Sequence, residues 1–178
     1  QGLGKLEEAA ASYHKALDLK PDYAEAHYNL GNVQRDLGNL PEAITSYHKA
    51  LILEPNYAQA RNNLGVALEQ LGRPDEALIC CENAISLVPE YAEAHNNRGN
   101  ALRELDQLDK AIISYNVALE LQPKYGEAHC NLGLALHWLG NLGKAVACCQ
   151  KAISINAQNA EAHWNLALGF LLQGDWKG

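Results

Sequence analysis

Five asparagines, Asn29, Asn63, Asn97, Asn131 and Asn165, recur every 34 residues along this 178-residue chain. A carboxamide offers one acceptor and two donors, the complement of a peptide group's N–H and C=O. A row of them, one per period, is suited to holding an extended backbone without reading its side chains. Each such hydrogen bond is worth about 0.5–1.5 kcal/mol net, and ordering a flexible ligand takes back several, so the binding expected is weak and tolerant of sequence. The competing reading has the same asparagines bonding to the backbone of the neighbouring repeat, or simply not yet diverged.

Other residue types that carry chemistry are poorly placed for it. His27, His95, His129 and His163 fall one per period, about a helix pair apart, too far to share a metal, and read as packing residues. No HExxH, CxxC, nucleophile elbow or phosphate-binding glycine loop appears. Cys80-Cys81 and Cys148-Cys149 occupy the place that Ser46-Tyr47 and Ser114-Tyr115 hold in alternate repeats, and Cys130 stands alone. Two repeats separate the pairs by several helix diameters of roughly 8–10 Å, beyond the roughly 7 Å limit of a disulfide. All five read as reduced thiols, with Cys81 and Cys149 in core positions, and point to a reducing, cytoplasmic compartment. Neither a catalytic residue, a metal nor a cofactor is expected.

The elements that position these residues follow from the period itself. Ala24–Tyr57, Ala58–Tyr91, Ala92–Tyr125 and Gly126–Asn159 are full copies; residues 1–23 are the back half of one and 160–178 the front half of another. A fixed period of this length means a stacked repeat with a continuous seam. Each copy reads as two helices, broken at Gly38, Gly72, Asp106 or Gly140 and closed by Pro55, Pro89 or Pro123, with Ala157 loosening the fourth junction. Pro41 suits a first helical turn.

Gly31, Gly65, Gly99 and Gly133, with Ala167 in the last copy, lie inside first helices, where glycine costs roughly 1 kcal/mol against alanine. Close approach of the partner helix is the simplest compensation. Ala43, Ala77, Ala111 and Ala145, then Ala50, Ala84, Ala118 and Ala152, serve the second helix in the same way. Leu30, Leu64, Leu132, Leu37, Leu71, Leu105, Leu139, Leu53, Leu87, Leu121 and Ile155 are expected to fill the seam. Arg98 replaces leucine there, its stem packing and its guanidinium reaching a carboxylate or the open face.

Leu-Gly in the first helix, alanine twelve residues on, an aromatic four further, alanine again and then proline resemble the tetratricopeptide repeat over essentially the whole chain. The family's aromatic at position 4 is replaced by His27, Arg61, His95, His129 and His163. The resemblance implies an all-α solenoid, a right-handed superhelix of antiparallel helix pairs, whose first helices line a concave groove for peptides or partner proteins. Positions 2, 5, 6, 9 and 13 of each first helix share a face, which that geometry makes the groove wall. The expected contacts are the five asparagines together with Tyr28, Asn62, Asn96, Asn32, Asn100, Trp138 and Trp164.

The family's lysine-based carboxylate clamp is not expected, because Glu25, Gln59, Glu93, Glu127 and Glu161 make this wall acidic. Repeats reading Ala-Glu-Ala-His-x-Asn-Leu-Gly are similar to those of O-linked N-acetylglucosamine transferases. The closing Leu-Leu-Gln-Gly-Asp-Trp-Lys-Gly resembles the passage into a glycosyltransferase-like domain in bacterial repeat proteins, which implies a substrate-presenting arm.

The wall changes along the chain, from Asn32, Arg35, Asp36, Asn100, Arg103 and Glu104 to Leu134, Trp138, Trp164, Leu168, Leu171 and Leu172, an apolar patch part core and part partner surface. A net charge of −7 without basic clusters argues against nucleic acid, and no apolar run approaches the roughly 20 residues of a membrane span. The chain has no methionine and both ends fall inside a repeat, which reads as a piece of a longer protein. Its orphan end helices suggest the alternative of head-to-tail self-assembly.

Overall fold

The structure, a computed structural model, describes residues 2–174. All regular structure among them is α-helical: α1 (Gly2–Leu19), α2 (Ala24–Asp36), α3 (Leu40–Leu53), α4 (Ala58–Gln70), α5 (Pro74–Leu87), α6 (Ala92–Glu104), α7 (Leu108–Leu121), α8 (Gly126–Trp138), α9 (Leu142–Ile155) and α10 (Ala160–Gln173). The helices form two compact units, Gln1–Pro89 and Glu90–Gly178. In the N-terminal unit α2 packs on α3 and α4 on α5, with α1 against α2 and α3 against α4. The C-terminal unit repeats this with α6 on α7, α8 on α9, and α10 against α9. First helices also touch one another, α2 with α4, α6 with α8 and α8 with α10, so each unit is a solenoid-type stack of hairpins.

Helix ends follow local chemistry. After each full first helix the chain turns through a left-handed residue, Gly38 at φ 80°, Gly72 at 74°, Asp106 at 57° and Gly140 at 78°. The amides of Gly38 and Asn39 donate to Arg35 O and Gln34 O at 2.9 and 2.8 Å, satisfying carbonyls that the helix leaves open. Tyr23, Tyr57, Tyr91 and Tyr125 precede first helices without a side-chain cap. Asn159, in the same register, accepts from Ala162 N at 3.0 Å. The junction that lacks its proline therefore gains a cap worth about 1 kcal/mol.

Packing inside the hairpins explains the glycines. A Cβ on Gly31 would lie 2.7 Å from the Tyr47 ring and one on Gly99 2.4 Å from the Tyr115 ring. On Gly65 and Gly133 it would meet Cys81 Sγ at 3.1 Å and Cys149 Sγ at 3.0 Å. Tyr47, Tyr115, Cys81 and Cys149 are all fully buried, as are the eight second-helix alanines. Leu30, Leu64 and Leu132 are core residues too. Leu53, Leu87 and Leu121, however, sit in the last position of their helices, and Leu71 and Leu139 at C-caps; these five are exposed, while Leu37 and Leu105, at C-caps of the same register, are half-buried.

Arg98 also departs from expectation. Its Nε donates to the buried Ser114 Oγ at 3.0 Å rather than to a carboxylate, and Ser114 Oγ donates in turn to Lys110 O at 3.0 Å. The guanidinium thus replaces leucine by using a hydroxyl that repeats with Cys80 or Cys148 lack. No described helix is long and apolar enough to cross a membrane.

Candidate functional site

Successive first helices bring positions 5 and 6 of neighbouring repeats together. Asn63 Nδ2 donates to Tyr28 Oη at 3.2 Å and to Asn32 Oδ1 at 2.9 Å. Asn131 Nδ2 donates to Asn96 Oδ1 at 3.0 Å, and Asn165 Nδ2 to Cys130 Sγ at 3.5 Å. At Asn63, Asn131 and Asn165 the position-6 carboxamide therefore bonds to the side chain at position 5 of the preceding repeat. That accounts for its recurrence while position 5 varies, since tyrosine hydroxyl, carboxamide oxygen and thiol sulfur all accept a hydrogen bond.

These bonds sort the asparagines by depth. Asn62, Asn96, Asn131 and Asn165 are buried, with Asn96 0% exposed, and lie inside the wall. Asn29, Asn63, Asn97, Asn32 and Asn100 are half-buried on its surface, as is Tyr28. Asn32 Oδ1 accepts from Tyr47 Oη at 2.8 Å and Asn100 Oδ1 from Tyr115 Oη at 2.9 Å. Position 9 is apolar, Val66 or Leu134, in the repeats whose second helix carries cysteine. The wall and the hairpin core thus share residues, a link hidden by the distance of fifteen positions.

Charge and aromatic groups complete the face. Glu25, Gln59, Glu93, Glu127 and Glu161 are exposed, and Glu127 Oε1 accepts from Asn96 Nδ2 at 3.0 Å. Tyr28 lies 4.8 Å from Tyr57 between ring centroids, and burial, then Tyr28 and Glu25, push the Tyr57 hydroxyl up to about 12. Burial, then Glu127 and Glu93, also hold the Tyr125 hydroxyl well above its usual range. Trp138 is 54% exposed with the Arg103 guanidinium 5.6 Å from its ring centre, and Trp164 is 71% exposed. Arg103 also pairs with Glu104 at 3.2 Å.

Position 4 has a role that sequence reading missed. His27 Nε2 bonds to Pro21 O at 2.9 Å, His129 Nε2 to Pro123 O at 3.1 Å and His163 Nε2 to Ala157 O at 3.0 Å. Arg61 donates from Nε and Nη2 to Pro55 O at 3.2 and 2.7 Å. What histidine and arginine share is an N–H donor, and that common property was the available signal. Elsewhere a cleft of about 600 Å³ opens between α1 and α3, lined by His14, Leu17, Leu30, Gln34, Lys49 and Ile52. Gln34, one of its lining residues, stands where the later repeats carry Leu68, Leu102 and Leu136.

All five cysteines are free thiols. Burial pushes Cys80 and Cys149 up to about 11, and burial with Glu161 pushes Cys130 up to about 12, from an ordinary 9.0. At pH 8 these three should react with a neutral thiol reagent at least about 100-fold more slowly in the native than in the unfolded chain, a ratio that timed thiol titration would read. A folded value raised above the unfolded one stabilises fully below the unfolded value and is lost as pH rises through the folded one. Denaturant midpoints should accordingly fall between about pH 9 and pH 11 as the unfolded chain ionises first.

A family model described as "TPR repeat" matches residues 3–36, 31–72 and 99–140, more than half the chain, and models described as "Tetratricopeptide repeat" match 58–91, 126–159 and 80–113. No curated relative matches at a significant level. Among solved structures, YrrB, described as a TPR protein with an unusual peptide-binding site, is 30% identical, with 92% of this chain and 84% of that chain covered at a TM-score of 0.71. TTC0263, a thermophilic TPR protein of Thermus thermophilus, is 26% identical over 96% and 93% at 0.79. MamA 41-end from Desulfovibrio magneticus RS-1 is 25% identical over 88% and 89% at 0.77.

Proposed function

Because the chain belongs to the tetratricopeptide repeat family, we propose that it is a non-enzymatic interaction scaffold holding an extended partner segment against the first-helix face of its repeats. The observation that carries this reading is the pre-organised carboxamide wall. Asn63 is fixed by Tyr28 and Asn32, while Asn29 and Asn97 repeat its register at the surface. Pre-organised amides lose less entropy on binding than mobile ones. In this reading a ligand meets Asn29, Asn32, Asn63 and Tyr28 on the N-terminal unit, or Asn97, Asn100, Trp138 and Trp164 on the C-terminal unit, and the buried Asn62, Asn96, Asn131 and Asn165 shape the wall of each. The peptide-binding site ascribed to YrrB supports a peptide as ligand.

A photoreactive group at position 97 tests this. Crosslinks confined to extended segments of partner proteins, and competed by synthetic peptides of those segments, are the expected result; crosslinks scattered over folded surfaces would sink it. The finer assignment, to the substrate-presenting arm of a glycosyltransferase, rests on the Ala-Glu-Ala-His-x-Asn-Leu-Gly pattern. Asp175 and Trp176, which belong to the second motif, lie outside the described residues.

Head-to-tail self-assembly is served less well by the hairpin geometry. The α1 helix carries Tyr13 in the register of Tyr47, where the partner helix supplies glycine and an asparagine acceptor. In that register α10 carries Ala167 and Leu168, so α1 of a second copy would press its ring on a methyl and leave its hydroxyl without that acceptor.

A further inference from the structure

We propose that the cleft between α1 and α3 binds a neutral aliphatic molecule carrying a carbonyl group, at a site apart from the first-helix face. The cleft, of about 600 Å³, lies within the N-terminal unit and has the size of a small-molecule pocket. Along α3 its lining runs from Glu42, Thr45 and Ser46 through Lys49 to Ile52 and Leu53, so one end is polar and the other apolar. The α2 helix adds the buried Leu30 and the half-buried Gln34. This cleft is not made by where α1 begins. In α3 the side packed on a first helix holds Ala43, Tyr47 and Ala50, a register that Ala9, Tyr13 and Ala16 hold in α1. The cleft residues His14 and Asp18 stand instead in the register of His48 and Ile52, both exposed although α3 has first helices packed on it from its own repeat and from the next.

The polar end departs from the other repeats. Where Gln34, Thr45 and Ser46 stand, the second repeat carries Leu68, Ile79 and Cys80, and the third and fourth keep a buried leucine, Leu102 or Leu136. A carboxamide in a leucine register is destabilising unless its polar atoms find partners. Gln34 Oε1 accepts from Ser46 Oγ at 2.6 Å, and Thr45 Oγ1 donates to Pro41 O at 2.9 Å. Gln34 Nε2 bonds to no described residue, so its two N–H groups are the uncommitted donors for an acceptor in the cleft. A carboxylate head would meet Asp18 and Glu42, which also line the cleft, and an ammonium head would meet the Gln34 donors and Lys49. A neutral carbonyl avoids both conflicts, and its aliphatic chain covers Leu17, Leu30 and Leu53.

Octanamide, octanoate and octylammonium, titrated separately against the protein and followed by NMR shifts of backbone amides and methyl groups, test the inference. Octanamide should bind at least about fivefold tighter than either charged probe, with the shifts centred on Leu17, Leu30 and Gln34. Gln34→Leu installs the residue that three other repeats carry, so it should keep the fold while weakening octanamide by about fivefold or more. Equal affinity for the three probes would overturn the inference, and so would an octanamide affinity unchanged in Q34L. Shifts confined to the first-helix face, or no binding of octanamide up to about 10 mM, would overturn it as well. The reading of the first-helix face stands or falls separately, on the crosslinks from position 97.

Discussion

Replacing Gly99 by alanine should destabilise the C-terminal unit by about 2 kcal/mol, whereas the equivalent change at Gly65 should leave the N-terminal unit within about 1 kcal/mol of its original stability. A new methyl at Gly99 lands 2.4 Å from the Tyr115 ring, which is fully buried and has nowhere to turn. Overpacking of that kind costs about 3 kcal/mol, and the gain in helix propensity returns about 1. At Gly65 the nearest atom is Cys81 Sγ at 3.1 Å, so the helices need part by only a few tenths of an ångström, and propensity offsets the strain. Urea denaturation of each variant would measure both. A G99A protein as stable as the parent would show that the hairpin relaxes more freely than its packing indicates.

The second large effect is a coupling. Tyr115→Cys removes a buried ring and should cost about 3–4 kcal/mol, and Asn100→Val removes an acceptor of the buried Tyr115 hydroxyl and should cost about 1–3 kcal/mol. Made together they should cost at least about 1 kcal/mol less than the sum, because a thiol at position 115 has no hydroxyl to satisfy. The repeats themselves show both combinations: Tyr47 with Asn32 and Tyr115 with Asn100, against Cys81 with Val66 and Cys149 with Leu134. Strict additivity in a double-mutant cycle would mean that the two residues vary together for some other reason.

That pairing marks the border of what the sequence makes legible. Helix order, the turns at Gly38 and its counterparts, and the burial of Tyr47 and Ala43 follow from periodicity and from the punctuation by glycine and proline, which act locally. The face holding Asn63 and Asn97 is equally readable, since residues at helical spacing share a side whatever they touch. What each carboxamide bonds to is not readable in the same way. Asn131 and Asn97 occupy one register, yet the first is buried and the second half-exposed. Their difference depends on contacts made across the stack. The exposure of Leu53 and Leu71 is not readable for the opposite reason, because apolar character says nothing about how much packing surface a helix end meets. The donors at position 4 were legible in principle, but only by asking what histidine and arginine have in common rather than what histidine alone does.

The residues that must agree with one another, Gly99 and Asn100 with Ser114 and Tyr115, lie on the two helices of a single repeat, on either side of the turn at Asp106. A genetic exchange between copies that breaks at a proline-marked junction therefore transfers a matched set whole. One that breaks at the turn joins a glycine–asparagine helix to a cysteine partner, or a valine helix to a tyrosine, and inherits the misfit. Both kinds of hairpin stand in one chain, so each repeat carries its own matched set whatever its neighbour carries.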